Sequence, residues 1–181
     1  LILSGVSAVA WWRITGATGF PLSAAPWIVL AGLGETLYVY SLGMAYARGD
    51  LALTYTVSRA SALVFIWPLS ALAFHTVPSV LALGATALVA LGILLTKPVG
   101  GASTFHLGWT LSTGAAVAAY HTGYKGAVDG GTARVLAFIG AVSISIPFLV
   151  AIVGRDVRAQ LPGLLVRPRL LLAGVLCAAS F

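Results

Sequence analysis

A chain of 181 residues that is 60% hydrophobic and only 8% charged cannot cover a water-facing surface, because soluble domains carry about 25% charged residues. Its net charge of +6 sits in short gaps between apolar runs, where topology signals of membrane proteins belong. No basic cluster interleaves with aromatic residues, which excludes a surface built to follow a nucleic-acid backbone. The lone cysteine, Cys177, excludes an internal disulfide or a multi-cysteine metal site and reads as a packed or lipid-facing small residue.

The apolar runs follow one another along the chain. Residues 1–12 form a first, partial run, ended by Arg13 and the turn-rich stretch 15–21. The second covers 27–47 and closes at Arg48-Gly49-Asp50. The third covers 51–74 and closes at His75-Thr76-Val77-Pro78. The fourth covers 79–96 and closes at Lys97-Pro98 and a Gly-rich stretch to Ala102. The fifth covers 108–125 and closes at Asp129-Gly130-Gly131. The sixth covers 134–153 and closes at Arg155-Asp156-Val157-Arg158, beyond Leu161-Pro162-Gly163 a last run begins near Leu170, and Gly and Pro mark most of the gaps.

The complete runs are 18–24 residues long, the length needed to cross roughly 30 Å of hydrocarbon with modest tilt. Barrel strands would alternate in and out over about ten residues, whereas these runs are continuously apolar. Inside lipid each backbone amide must be satisfied locally, so such runs predict helices. The expected class is therefore an all-α polytopic transmembrane bundle. Residues 1–12 lack a secretory signal pattern and read as the tail of a spanning helix. With the last run ending at Phe181, the chain is expected to be a piece of a longer protein.

Small residues at four- and eight-residue spacing let membrane helices approach closely; Gly84 with Gly92, and Gly108 with Ser112, fit that pattern. A faint internal repeat pairs Leu30-Ala31-Gly32-Leu33 with Leu172-Ala173-Gly174-Val175, and Arg13 with Arg155. The unit would hold five spans. Two copies with an odd number of spans lie in opposite orientations, as in the inverted-repeat plan of many transporters.

Three segments carry a family resemblance. They are Tyr40-Ser-Leu-Gly-Met-Ala-Tyr-Ala47 followed by Arg-Gly-Asp-Leu-Ala, Tyr55-Thr-Val-Ser-Arg-Ala-Ser-Ala62 followed by Pro68, and the glycine-anchored stretch from Gly84 to Leu95. In this order they resemble the drug/metabolite transporter superfamily, EamA type, at its third, fourth and fifth helices. Residues 108–125 then look like the first helix of that family's second repeat. The resemblance implies a ten-helix inverted-repeat (5+5) transporter. Residues 1–99 would be most of the first repeat (helices 2–5), and residues 100–181 the start of the second (helices 6–8). The chain departs from the family at His75, where a glutamate is usual, and at Thr56, where a proline is frequent; both leave the subfamily and its substrate open.

Polar groups at membrane depth are costly, about 2.5–3.5 kcal/mol for a charge at a helix centre, so they are the first candidates for function. Glu35 lies near the middle of its run. Either it faces a cavity and binds a cation, a proton or a substrate amine, or it is protonated or paired and only holds the bundle together. Tyr38 and Ser41 follow at three-residue steps on the same face. Arg59 either meets an anionic substrate group, pairs with Glu35 as a gate, or snorkels to the headgroups; Tyr55 precedes it by one turn. Tyr120 is placed to stack or hydrogen-bond with substrate. Tyr124 and Lys125 read as interface anchors as readily as site residues. Trp11, Trp12, Trp27 and Trp109 sit at run ends and read as belt residues, while Trp67, beside Pro68, is the mid-span cavity candidate. The expected substrate-binding set is Glu35, Tyr38, Arg59, Trp67 and Tyr120.

His75, His106 and His121 lack ligand spacing, Asp50, Asp129 and Asp156 lie in gaps beside basic residues, and no phosphate-cradling Gly-rich loop is present. The expectation is a protein that is not an enzyme, with no cofactor and no metal. Counting basic residues in alternate gaps puts Arg48, Lys97, Arg155, Arg158, Arg167 and Arg169 in the cytoplasm, whereas the family's usual topology puts Arg13, Lys125 and Arg134 there. Its partners would be the lipid bilayer, a small-molecule substrate and a coupling proton or ion, with no nucleic acid. Its place would be a bacterial inner membrane, crossed several times. The function expected is a secondary transporter or exporter of small metabolites or drugs, working by alternating access. The rival readings are a non-transporting assembly or interaction subunit, in which Glu35 and Arg59 pair with a partner helix, and a membrane-embedded enzyme, for which no catalytic cluster is visible.

Overall fold

A computed structural model describes residues 21–47, 51–95 and 104–154, with the single positions 9, 10, 13, 159, 163 and 168. Among these residues the chain is helical and contains no strand. After a 3-10 turn at Leu22–Ala24 come α1 (Ala25–Tyr46), α2 (Leu51–Phe74), α3 (Val80–Leu95), α4 (Thr104–Asp129) and α5 (Arg134–Ile152). The partial run 1–12, the run after Leu170, the repeat match at 172–175, Cys177, the gaps holding Asp50 and Asp156, and the expected repeat boundary at 99/100 lie outside the described residues.

Among the described residues three stretches are long and apolar enough to cross a membrane: Leu22–Tyr46, Leu53–Phe74 and Arg134–Ile152. The protein is a membrane-embedded, multi-pass helical protein. α3 is apolar throughout, yet its 16 residues rise only about 24 Å. α4 has the opposite character. Its 26 residues rise about 39 Å, ample for a crossing, but Thr, Ser, Gly and His dilute its apolarity. The sequence placed both among the spans; by length and apolarity together, neither qualifies.

The helix ends have local causes. Ser79 caps α3, its Oγ accepting from the Ala82 N–H at 3.2 Å, a bond that satisfies one of the first-turn donors. His75, just past α2, takes a positive φ of 53°, the left-handed conformation that ends many helices. α4 continues past Lys125 because Lys125 and Asp129 form an ion pair one turn apart. Asp129 is thus the last residue of a helix rather than part of a loop, and Gly131, at φ 91°, makes the reversal that follows. Inside the helices, hydroxyl groups are returned to the preceding turn, as with Ser58 to the Tyr55 carbonyl at 2.9 Å and Thr122 to the Ala118 carbonyl at 2.8 Å. That leaves no hydroxyl proton of theirs exposed to hydrocarbon.

The chain divides into two compact units. One is Leu1–Leu33 with Tyr124–Phe181. Its core gathers Ala24, Ile28, Ala127 and Ala137, with Trp27, Tyr124 and Ile144 packed against them. Gly32 admits Ile144 and Gly126 admits the Trp27 indole so closely that a Cβ at either glycine would collide. Tyr124 stacks on Phe138, with ring centroids 6.2 Å apart. Trp27 packs inward within this unit, because Gly126 leaves room for its ring.

The other unit is Gly34–Gly123. Within it α2 packs against α3, the two joined by the short link 75–79. α1 and α4 run antiparallel, since Gly34 meets Tyr120 while Ser41 meets Thr113. A Cβ on Gly34 would lie 2.8 Å from the Tyr120 backbone nitrogen, and one on Gly114 would strike Ser61 and lie 2.8 Å from the Ala62 nitrogen. These two glycines bring α1 and α2 against α4. A Cβ on Gly84, Gly92 or Gly108 would meet nothing within 4 Å.

Candidate functional site

The stripe of Glu35, Tyr38 and Ser41 on α1 faces α4. Glu35 and Ser41 are buried and Tyr38 is half-buried. The Thr113 hydroxyl lies 3.0 Å from Ser41 Oγ and 2.9 Å from the Trp109 carbonyl, while Ser41 donates to the Leu37 carbonyl at 2.6 Å. Trp109 packs edge-on against Tyr40, with ring centroids 5.6 Å apart. A small hydroxyl at each crossing point lets the backbones close in and still leaves no buried polar atom facing lipid.

One to two turns away, Tyr38 and Tyr120 meet edge to face, with ring centroids 5.8 Å apart and planes at 64°. This approach follows from Gly34. With no side chain there, α1 lies directly on the α4 backbone at Tyr120. The Tyr120 side chain tilts toward its own helix N-terminus, which aims it at Tyr38. Glu35 interacts electrostatically with Tyr120.

Arg59 arrives from α2. Its guanidinium lies 5.5 Å from the centroid of the Tyr55 ring, one turn earlier on the same helix. It comes within hydrogen-bonding reach of the Tyr55 and Tyr120 hydroxyls and acts electrostatically on Tyr38 and His121. The groups that act on Arg59 are phenols and an imidazole. Arg59 and Tyr55 are exposed, so the charge opens outward from the helix contact.

Four of the five expected residues, Glu35, Tyr38, Arg59 and Tyr120, thus share one neighbourhood. Trp67 does not join it. Eight residues beyond Arg59, it stands about 12 Å further along α2, half-buried beside Pro68, which removes one intrahelical hydrogen bond there. Two partners escaped the sequence reading. Thr113 was legible only in its three-residue spacing from Thr110, and His121 stood in the sequence only as a histidine without ligand spacing, not as a neighbour of Arg59.

Chemically, the cluster brings a carboxyl group and a guanidinium to bear on one phenol, Tyr120. Such an arrangement suits binding of a polar or charged small molecule. Among the described residues, no group of three or more His, Cys, Asp or Glu side chains is placed to hold a metal ion. No protein-family model, no curated protein and no solved structure matches the chain.

Proposed function

We propose that the chain belongs to an EamA-type secondary transporter of small metabolites or drugs, a ten-helix protein of two inverted five-helix repeats working by alternating access. On this reading it sits in a bacterial inner membrane and draws on a proton or ion gradient. The observation that carries the proposal is the convergence of Glu35, Tyr38, Arg59 and Tyr120 from three helices of an otherwise apolar protein. Charges are kept at membrane depth when they serve a pathway. The order of the segments around Tyr40, Tyr55 and Gly84 adds the family. Glu35 is the cation or proton site, Tyr38 and Tyr120 form the aromatic wall, and Arg59 is the anionic counterpart's partner.

The test is flux into proteoliposomes holding the purified full-length protein, with a panel of radiolabelled amino acids, nucleosides and short carboxylates. Wild-type protein should carry at least one of these faster than empty vesicles, and Glu35→Gln should reduce that flux at least tenfold at equal reconstitution. Flux that is unchanged in the variant removes Glu35 from the mechanism. The absence of flux for every compound, with and without an imposed proton gradient, favours the assembly-subunit reading.

A further inference from the structure

Arg59 is the charge whose surroundings are most fully determined. Two phenol oxygens lie within its hydrogen-bonding reach and a third phenol and an imidazole stand nearby, but no carboxylate among the described residues lies within ion-pair distance. A guanidinium offers five N–H donors in a planar fork, and two phenol oxygens occupy at most two of them. The Tyr55 ring lies against one part of the guanidinium and fixes its orientation. What remains is a fork of donors that is charged, held in place, and turned to the exposed side of α2.

We propose that Arg59, with the hydroxyls of Tyr55 and Tyr120, forms a binding site for an oxyanion, a carboxylate or phosphate group. The guanidinium meets two oxygens side by side, the geometry that makes arginine the residue of choice for such groups. The Tyr55 hydroxyl accepts from Arg59 and donates its own proton to the anion, so one phenol links cation and ligand. The adjoining Tyr38–Tyr120 pair offers an aromatic surface beside the charge. The chemistry alone admits two sources for the oxyanion: the headgroup of an anionic lipid, or a soluble molecule. Assigning it to the cargo rests on the transporter reading; the site itself does not.

The experiment measures equilibrium binding to the purified full-length protein in phosphatidylcholine nanodiscs, read by tryptophan fluorescence and by thermal unfolding. The probes are benzoate, its neutral isostere benzamide, and inorganic phosphate; a parallel set of nanodiscs contains phosphatidylglycerol. Saturable binding of benzoate or phosphate, at least tenfold tighter than any benzamide binding, lost in Arg59→Gln and partly kept in Arg59→Lys, supports a site open to soluble anions. Stabilisation by phosphatidylglycerol alone, again lost in Arg59→Gln, supports the site with a lipid as its source. Tyr55→Phe, which keeps the ring and the charge, should weaken the anion several-fold and guards against an Arg59 variant that fails to fold. Equal responses of wild type, Arg59→Gln and Tyr55→Phe to every anion would overturn the proposal. Flux of a compound in proteoliposomes with no Arg59-dependent anion binding would sink this inference and leave transport standing; anion binding without flux would do the reverse.

Discussion

α3 and the first five turns of α4 belong to the same compact unit and differ in almost every physical respect. None of the described side chains of α3 is buried; Val80, Leu81, Leu88 and Leu95 are more than two-thirds exposed, and a Cβ on Gly84 or Gly92 would meet nothing within 4 Å. α4 buries Thr110, Thr113, Ala116, Val117, Ala118 and Thr122, and its Gly114 lies against the α2 backbone. Apolarity on every side is what lipid requires of a helix, and it specifies no neighbour. Small and hydroxyl-bearing residues are what neighbouring helices require, since in a membrane association comes from close packing and hydrogen bonds rather than from burying apolar area. The polar cluster is accordingly built on α4 and its partners, and α3 contributes nothing to it.

Substitutions that are chemically alike should therefore have opposite consequences on the two helices. Gly114→Leu places a branched side chain into the Ala62 backbone, which cannot give way, and is expected to cost about 3 kcal/mol or more; size-exclusion profiles of the detergent-solubilised protein should show loss of the monodisperse peak. Gly84→Leu on α3 should leave that peak intact. Next in size, Gly34→Ala meets the Tyr120 backbone at 2.8 Å and should cost about 1–2 kcal/mol while separating Tyr38 from Tyr120; a fall in both thermal stability and flux is expected, and a variant as stable and active as wild type would break the claim that this contact sets the site. Gly84→Ala should do the reverse and stabilise by about 0.5–1 kcal/mol, because a helical glycine with open space around it carries only an entropic cost. Smallest of all, Thr113→Val removes the hydrogen bond to Ser41 and should cost about 0.6 kcal/mol, the mean for interhelical bonds in a membrane, measured by thermal unfolding.

The spans were legible in the sequence because the signal for a helix in lipid is local. The run 51–74 is α2 to the residue, and 134–153 is α5 within one residue. α4 was the exception, four residues longer at each end than its apolar run; at its C-terminal end the Lys125–Asp129 pair supports a helix without being hydrophobic. The stripe of Glu35, Tyr38 and Ser41 was legible from helical periodicity alone. Which glycines would be contacts was not, since Gly34 and Gly84 look alike until a neighbour is present. Nor was the environment of Arg59: Tyr55 is one turn away and visible in sequence, but Tyr120 comes from 61 positions further on, through two crossings that only the packing at Gly34 and Gly114 defines. That Trp67 stands apart from this cluster was likewise not legible, because depth in a span says nothing about the height of a separate cluster.

The transporter reading requires that the surface around Arg59 face water, whereas the apolar surface of α3 is suited to lipid. Tyr55 and Leu88 are 54% and 71% exposed, so accessibility to a neighbouring molecule does not separate them; only the medium does. Full-length protein carrying Cys177→Ser, with either Tyr55→Cys or Leu88→Cys added, would be treated in intact membranes with a charged, membrane-impermeant thiol reagent supplied to both faces. A thiol reacts as its thiolate, which needs water. The account predicts rapid labelling at position 55, slowed by a bound anion, and none at position 88. Equal labelling at the two positions, or faster labelling at 88, would contradict it.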